Sequence, residues 1–289
     1  MEGMKKLFLP ITATVGFIQN HFKAMVFILI VVLIFMPRDD SSLVPHNLEK
    51  ISLVGPIMDV NEVVQKIENA RQNDRVKGVL LVVNSPGGAV APSVEVAYAI
   101  KRLRQKKPVV VYASGTIASG SYYSSIWANE IVANPGSMVG SIGVIMHGAD
   151  LSEVMQKIGI KSQVIAAGKY KQLGTADREW TEYEKAELNK VIQDTYNMFV
   201  TDVANARGLR VEDAPYFANA HIFTAHQAKD VGLVDKVGVS FDAQEDLIRL
   251  SGVKNPIWNK EDPMEKLFKK LSAQTAVTLN TYFPALSLQ

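Results

Sequence analysis

The sequence predicts an α/β fold built on a parallel β-sheet. Two short runs, residues 79–83 and 109–112, are apolar at every position, which is typical of strands buried on both faces of a parallel sheet. Residues 61–73 place apolar side chains at helical spacing, and a second helix is predicted at 93–105. Strands that alternate with helices in this way predict right-handed β–α–β crossovers.

The elements follow one another from about residue 50 onward. The predicted strands lie at 51–57, 79–83, 109–112, 130–133, 142–147 and 163–166, and the predicted shorter helices at 61–73, 93–105, 118–128 and 151–158. A longer helix is predicted at 181–206, because Thr181 and Glu184 form a capping box and Gly208 follows the last apolar position. No internal repeat interrupts this order.

The composition excludes several classes of protein. The chain has 289 residues, 31 Lys and Arg against 29 Asp and Glu, and no cysteine. The lack of cysteine rules out a disulfide scaffold, a thiol nucleophile, a cysteine-ligated zinc site and an iron–sulfur cluster. It also leaves an extracytoplasmic location open. The balanced charge argues against a disordered or polyanion-binding chain.

An apolar segment near the N-terminus predicts a membrane anchor. Residues 24–36 are thirteen consecutive apolar residues, fewer than the roughly 20 that span a bilayer. Apolar residues from about residue 17 can lengthen the helix if Lys23 extends toward the interface. A buried helix and a cleaved signal peptide are the alternatives, but no small-x-small cleavage site follows Pro37. We therefore predict an uncleaved signal anchor.

The flanking charges orient this anchor. Lys5, Lys6 and Lys23 precede it, whereas Arg38 is followed by two aspartates, and positive charge favours the cytoplasmic side. The predicted parts of the chain are a cytoplasmic tail (1–23), the anchor in the lipid bilayer (24–36), a linker (37–47), a globular domain (48–255) and an amphipathic tail (256–289). The last of these either packs on protein or lies on the membrane surface.

Most familiar catalytic and binding motifs are missing from the sequence. It contains no phosphate-binding GxxxxGK[ST] loop, no HExxH zinc helix and no GxSxG elbow. The five histidines form no metal-binding pair, so no metal and no cofactor are predicted. The basic run at 101–107 ends a predicted helix, where cations complement the helix dipole. It therefore does not indicate a nucleic-acid partner.

Two turns after buried strands are more informative. Residues 84–88 (NSPGG) contain adjacent glycines whose N–H groups can face a substrate oxygen, and Ser119 opens the helix after the next strand. Each feature alone is also explained as an ordinary turn or helix cap. If Ser119 is a nucleophile it needs a base, and a lysine near residues 168–171 is a candidate because burial can lower the pKa of a lysine.

Four motifs in order resemble the signal peptide peptidase (protease IV) family, which comprises membrane-anchored bacterial serine proteases of the Clp protease/crotonase superfold. The motifs are NSPGG (84–88), ASGSYY (118–123), GSIGV (140–144) and GKYK (168–171). The resemblance covers about residues 50–238 and implies repeated ββα units around a parallel sheet. It also implies the short, single-site form, which assembles into a homo-oligomeric ring or dome.

The resemblance also implies roles for individual residues. Ser119 is similar to the family's nucleophile, and Lys171 to the general base of a Ser–Lys dyad, with Lys169 in reserve. Ser141 resembles the serine that orients the lysine. The oxyanion hole is implied to use the backbone N–H of Gly120 and that of Gly88 or Gly87.

The chain departs from the family pattern at Ser121, which stands where the family usually has glycine. This second hydroxyl beside the nucleophile is expected to narrow the site. The usual Pro-Phe-Arg-Pro run after GKYK is replaced by residues 175–180, and the segment 220–225 lacks the usual glycines. Both changes concern loop shape and substrate choice rather than the dyad.

The resemblance implies a serine endopeptidase on the outer face of the bacterial cytoplasmic membrane, with its N-terminus in the cytoplasm. Its expected substrates are hydrophobic peptides such as the remnants of cleaved signal peptides. Two alternatives remain open: a crotonase-type acyl-CoA enzyme that uses the same glycine N–H pair, and a non-catalytic membrane scaffold.

Overall fold

A computed structural model describes residues 19–27 and 45–259. The chain divides into two compact units, residues 1–44 and residues 45–289. In the first unit, residues 19–27 are helical, and most of the predicted anchor lies outside the described residues, as does the tail beyond residue 259. Within the described ranges, no helix has the length and apolar character needed to cross a membrane.

The second unit is built on a seven-stranded sheet. Strands β1, β2, β3, β4 and β7 are adjacent in that order and parallel, β5 pairs in parallel with the end of β3, and β6 is antiparallel to β5. The strands are β1 Leu48–Val54, β2 Gly78–Ser85, β3 Val109–Ala118, β4 Glu130–Ala133, β5 Met138–Gly140, β6 Ile222–Thr224 and β7 Lys236–Val237. The predicted α/β fold with a parallel sheet is therefore confirmed.

Helices connect most of these strands. They are α1 Asn61–Gln72, α2 Val90–Arg104, α3 Gly120–Ser125, α4 Ser152–Lys157, α5 Glu182–Arg207, α6 Ala214–Phe217, α7 Ala225–Asp230 and α8 Ser240–Ser251. Helix α5 follows its prediction within one residue. The Glu184 carboxylate accepts hydrogen bonds from the Thr181 N–H and hydroxyl, and Gly208 ends the helix in the left-handed conformation (φ 66°).

The sheet is buried on both faces. Alternate residues of β2 point to opposite sides: Leu81 belongs to a large core with α1, α2 and α5, whereas Leu80 packs with Leu247 of α8. This alternation follows from the two-residue period of a strand. A strand covered on both faces needs apolar residues at nearly every position, which is the pattern that predicted the parallel sheet.

Strand β3 continues past its predicted end because it contains a bulge. The prediction ended this strand at residue 112 and began the next helix at residue 118. Instead, the pairing of β2 with β3 shifts between Val83↔Ala113 and Ser85↔Ile117. An advance of two residues along β2, from 83 to 85, thus matches an advance of four residues along β3, from 113 to 117. Strand β3 therefore continues to Ala118, and α3 begins at Gly120.

Two predicted strands are absent. Residues 142–147 and 163–166 form neither strand nor helix, although the shorter strand β5 lies just before the first of these segments. All four residues at 163–166 are exposed. A strand is stable only when its backbone groups pair with a neighbour, and no described segment of the chain lies beside these residues as a strand.

Candidate active site

Ser119 lies at a sharp turn between β3 and α3. Its backbone has φ 53° and ψ −125°, a combination that is strained for any residue with a side chain. Two hydrogen bonds hold it there: the Ser119 N–H donates to the Gly140 carbonyl (2.8 Å), and the Ser119 carbonyl accepts from the Tyr123 N–H (3.0 Å). A strained serine between a strand and a helix is typical of a nucleophile elbow.

A second turn lies against this elbow. It follows β2, and its two glycines have positive φ angles of 97° at Gly87 and 158° at Gly88. A Cβ atom on Gly87 would lie 2.7 Å from the Gly120 nitrogen, and one on Gly88 would lie 2.2 Å from the Ile57 carbonyl oxygen. Only glycine allows the backbones to come this close.

Two backbone N–H groups at this contact have no hydrogen-bond partner among residues 45–259. They belong to Gly88 and to Gly120, the first residue of α3. The two residues lie close together, because a Cβ atom on Gly120 would lie 3.3 Å from the Gly88 nitrogen. Their neighbours are paired: Ile57 N–H donates to the Gly87 carbonyl, and Ala89 N–H donates to the Ile57 carbonyl, each at 2.8 Å. Two free donors beside a serine hydroxyl can stabilise an oxyanion.

Ser119, Gly120 and Gly88 open into one cavity of about 160 Å³. Most of its wall is apolar and comes from α2, α5 and the segment after β5. The lining residues with apolar side chains are Val90, Val94, Val144, Ile145, Met198, Phe199 and Ala220. Such a wall suits an extended peptide with a hydrophobic side chain next to the reacting carbonyl.

Tyr123 is the only titratable residue among those that line this cavity. Its ring packs edge-on against Phe199, with centroids 5.1 Å apart, and its hydroxyl donates a short hydrogen bond to Asp202. Burial, together with the Asp202 carboxylate, raises the pKa of Tyr123 well above its usual value. This phenol therefore keeps its proton and cannot act as the base for Ser119 at neutral pH.

Ser141 also lines the cavity. It adopts φ 50°, and its N–H donates to the His221 carbonyl (2.7 Å). The structure thus brings together four of the six predicted site residues, namely Ser119, Gly120, Gly88 and Ser141. Gly87 does not line the cavity, but it lies close to Ser119 and Gly120 of the elbow.

Lys171 is not part of this group. It is exposed in a turn, where its N–H donates to the Gly168 carbonyl (3.2 Å), and it does not line the cavity. The reserve candidate, Lys169, places its amine over the rings of Tyr170 (5.3 Å) and Tyr183 (4.9 Å). Lys169, like Lys171, does not line the cavity that contains Ser119.

The segment that carries both lysines, residues 144–180, is called the arm below. Much of its surface is apolar and exposed: Ile145, Leu151, Val154, Ile158, Ile160, Val164 and Ile165 are each at least 47% exposed. The arm is held at its C-terminal end, where Arg178 donates two hydrogen bonds to the buried Glu184 carboxylate (2.6 and 2.8 Å). A Cβ on Gly148 would meet the Trp180 ring at 1.9 Å, so this part of the arm is closely packed.

Ser121 does not narrow the site, and that expectation is wrong. Its side chain is fully buried beneath the elbow and does not line the cavity. Its hydroxyl lies 2.6 Å from the Ser85 carbonyl oxygen. Sequence reasoning missed this contact, and it missed the Tyr123–Asp202 pair. Tyr123 is part of the ASGSYY motif, but no sequence pattern connects this motif with Asp202, 79 residues later.

Comparison with known proteins places the chain in a family. Residues 101–254 match peptidase family S49, and residues 46–128 match the Clp protease family. A Methanocaldococcus jannaschii protein named "Putative protease MJ0651" is 44% identical over 68% of this chain and 64% of its own length. "Serine protease SPPA, chloroplastic" of Arabidopsis thaliana is 33% identical over 65% of this chain and 28% of its own length. The matched region thus spans less than two thirds of either relative.

The fold is also shared with a solved structure. A "membrane-bound stomatin-specific protease" aligns over 75% of this chain and 99% of its own length, with a TM-score of 0.52 and 12% identity. At that identity the likeness concerns the fold alone. The family match spans more than half of the chain and includes α3 to α8. The chain therefore belongs to peptidase family S49, a family of serine proteases with a Clp-protease-like α/β fold.

Proposed function

We propose that this protein is a membrane-anchored serine endopeptidase that uses Ser119 as its nucleophile and Lys171 as its general base. The observation that carries the proposal is the elbow. A strained serine faces an apolar cavity beside two free backbone N–H groups, Gly88 and Gly120. An acyl-CoA enzyme needs the two N–H groups but has no use for the strained serine between them.

The base must come from outside the cavity. Among its lining residues only Tyr123 titrates, and that phenol is held protonated. Lys171 lies on the arm, whose exposed apolar face is suited to packing against another protein surface. We infer that Lys171 reaches Ser119 of a neighbouring copy of the chain, so that the complete site forms only in a homo-oligomer.

The chemistry then follows in two stages. Neutral Lys171 accepts the proton of the Ser119 hydroxyl as its oxygen attacks the scissile carbonyl carbon, and the N–H groups of Gly88 and Gly120 stabilise the oxyanion. Lys171 next donates that proton to the leaving amine, and the acyl-enzyme is formed. Lys171 then deprotonates a water molecule, which attacks the ester, and the ester bond breaks as Lys171 returns the proton to the Ser119 oxygen. Burial at the interface between copies favours the neutral form of a lysine.

The expected substrates are hydrophobic peptides, including the remnants of cleaved signal peptides. The apolar wall of the cavity supports this class of substrate, because the lining residues offer no charged side chain that could pair with a charged or polar side chain of the substrate. The apolar residues 24–36 would keep the enzyme at the outer face of the cytoplasmic membrane, where such peptides are released.

Mixing two inactive variants tests the shared site. Ser119→Ala and Lys171→Ala are purified separately, and each is expected to be inactive toward a leucine-rich fluorogenic peptide. Co-expressed or exchanged into mixed oligomers, they should recover up to about a quarter of wild-type activity, since some Ser119 sites then face an intact Lys171. Full activity of Lys171→Ala alone would reject the dyad.

The same pair of variants distinguishes where the base comes from. Mixed oligomers that stay inactive, while wild-type activity depends on both residues, would place the two groups on one chain after a rearrangement of the arm. A fluorophosphonate probe should label Ser119 in the wild type and leave Ser119→Ala unlabelled. An unlabelled wild type would favour the non-catalytic scaffold.

A further inference from the structure

Ser121 forms a hydrogen-bonded link between the two turns that carry the free N–H donors. Its Oγ atom accepts a hydrogen bond from the Ala118 N–H (2.9 Å), at the start of the elbow. The same oxygen lies 2.6 Å from the Ser85 carbonyl oxygen and 2.9 Å from that of Ala118. A hydroxyl has one proton and can donate it fully to only one acceptor. The shorter contact assigns that hydrogen bond to the Ser85 carbonyl, at the end of β2.

On the other side of this link, Ser85 leads into the turn with Gly87 and Gly88. The Gly87 N–H donates to the Ser85 hydroxyl at 3.2 Å, so Ser85 contacts Ser121 through its carbonyl and the turn through its side chain. Both serines are completely buried. The chain of contacts therefore runs from the elbow through Ser121 and Ser85 to the Gly88 turn.

This link matters because the strands themselves are poorly joined at this point. The regular pairing of β2 with β3 is interrupted between Val83 and Ser85, where β3 bulges. Bulges leave backbone groups unpaired and disturb the local ladder. The separation between the ends of the two strands is thus set in part by side-chain contacts, and Ser121 makes the shortest of those that join them.

We propose that Ser121 is a positioning residue that sets the distance between the Gly120 and Gly88 N–H groups. It touches neither the substrate nor the reacting atoms. Its role is to hold the elbow and the glycine turn at the spacing that suits a tetrahedral oxyanion, which develops in the transition state rather than in the bound substrate. This inference rests on the proposed function and deepens it.

The proposal predicts a particular kinetic signature. Loss of the Ser121 hydroxyl should lower kcat by about tenfold and leave KM within about twofold, because an error in oxyanion geometry affects the transition state more than substrate binding. The affinity of a peptidyl aldehyde, which forms a tetrahedral adduct with Ser119, should fall by a similar factor. The affinity of a non-reacting peptide of the same sequence should be unchanged.

Ser125 provides a matched control. It lies in the same short helix and is equally buried, and the hydrogen bond of its hydroxyl goes to the Ser121 carbonyl (2.8 Å) rather than to β2. The full-length chain is purified in detergent as wild type, Ser121→Ala, Ser121→Gly and Ser125→Ala. The glycine variant carries the residue usual in the family and cannot overpack the site. Thermal unfolding reports whether each variant is folded.

The expected result is a fall in kcat and in aldehyde affinity for both Ser121 variants, with neither effect in Ser125→Ala. The role of Ser121 is overturned if Ser119-dependent hydrolysis is unaffected in Ser121→Ala, or if Ser125→Ala loses as much kcat. It is also overturned if the loss appears only in KM. If the wild type shows no Ser119-dependent hydrolysis, the proposed function fails, and the role of Ser121 fails with it.

Discussion

The elbow region, residues 85–125, and the arm, residues 144–180, contrast sharply although both carry predicted catalytic residues. Around the elbow, Ser85, Ser121 and Tyr122 are completely buried, and two backbone hydrogen bonds of 2.8 and 3.0 Å hold the strained Ser119. In the arm, every residue from 157 to 171 is exposed, including Lys171. The proposed nucleophile and oxyanion donors are held in place by the core of one chain, whereas the proposed base is exposed.

The difference suggests how activity can be controlled in this fold. A strained serine with two N–H donors remains a weak nucleophile until a base is in reach. If the base comes with a second copy, a single chain has no proteolytic activity before it assembles. Each experiment below tests one side of this contrast.

The largest effect is expected from the arm. Lys171→Ala should lower kcat by about 10⁴-fold, as loss of a member of a catalytic dyad does. The fold of each chain should stay intact by circular dichroism, since the side chain is exposed within one chain. Lys169→Ala, two residues away, is the matched control and should retain activity within a few-fold. If Lys169→Ala is the inactive variant, the base has been assigned to the wrong lysine.

The second effect tests the preorganised side. In Gly87→Ala, the new Cβ would lie 2.7 Å from the Gly120 nitrogen and 2.8 Å from Ser119 Cβ. We expect the folded fraction of this variant to lose about 10²- to 10³-fold in kcat, comparable to removal of an oxyanion donor. The measurement is the hydrolysis rate, normalised to the folded fraction from circular dichroism.

A glycine with similar backbone strain but open surroundings controls for stability. Gly252 has φ 66°, and a Cβ atom at this position would meet no other part of the described chain within 4 Å. Gly252→Ala should cost about 1 kcal/mol of stability through its left-handed backbone and leave kcat unchanged. Equal kinetic losses in the two variants would show that the Gly87 effect is not local to the elbow.

The smallest effect concerns the attachment of the arm to α5. Hydrogen bonds from Arg178, and then from the Thr181 N–H, lower the pKa of Glu184 from 4.5 to about 2. A carboxyl with a lowered pKa in the folded state contributes stability that is fully present above the unfolded pKa, near 4.5, and that is lost as the pH falls toward 2. Urea unfolding of the wild type should therefore show decreasing stability between pH 5 and pH 2.

Glu184→Gln isolates this contribution. The amide is neutral at every pH and still accepts hydrogen bonds, so the variant should be less stable than the wild type at pH 6 and should change less between pH 5 and pH 2. Parallel stability curves for the two proteins would show that Glu184 does not carry the acid sensitivity. At neutral pH, the kcat of Glu184→Gln should change by a smaller factor than that of Lys171→Ala or Gly87→Ala.

Much of the fold, and the proximity of four of the six candidate site residues, could be predicted because the signals are local. The apolar runs at 79–83 and 109–112 correspond to β2 and β3, and each strand is followed by a turn with candidate site residues. Neighbouring parallel strands end at the same edge of the sheet, so Gly88 and Ser119 had to lie close together. Ser141 follows β5, which pairs with the end of β3.

The predictions failed where contacts between distant segments decide the outcome. Residues 163–166 have the composition of a strand, yet no strand of the described chain lies beside them. The buried direction of Ser121 depends on the Ser85 carbonyl, 36 residues earlier, and on the bulge that leaves room for the contact. No pattern in the neighbourhood of residue 121 contains that information.

The order of its residues alone predicts a parallel sheet in an α/β fold, a serine at the start of a helix and a glycine-rich turn after the preceding strand, because backbone propensity and turn chemistry act over a few residues. The folded arrangement was needed to show that Ser121 contacts both turns and that Lys171 does not line the cavity at Ser119. Those positions result from packing and hydrogen bonds between segments far apart in the chain, and local spacing does not encode them.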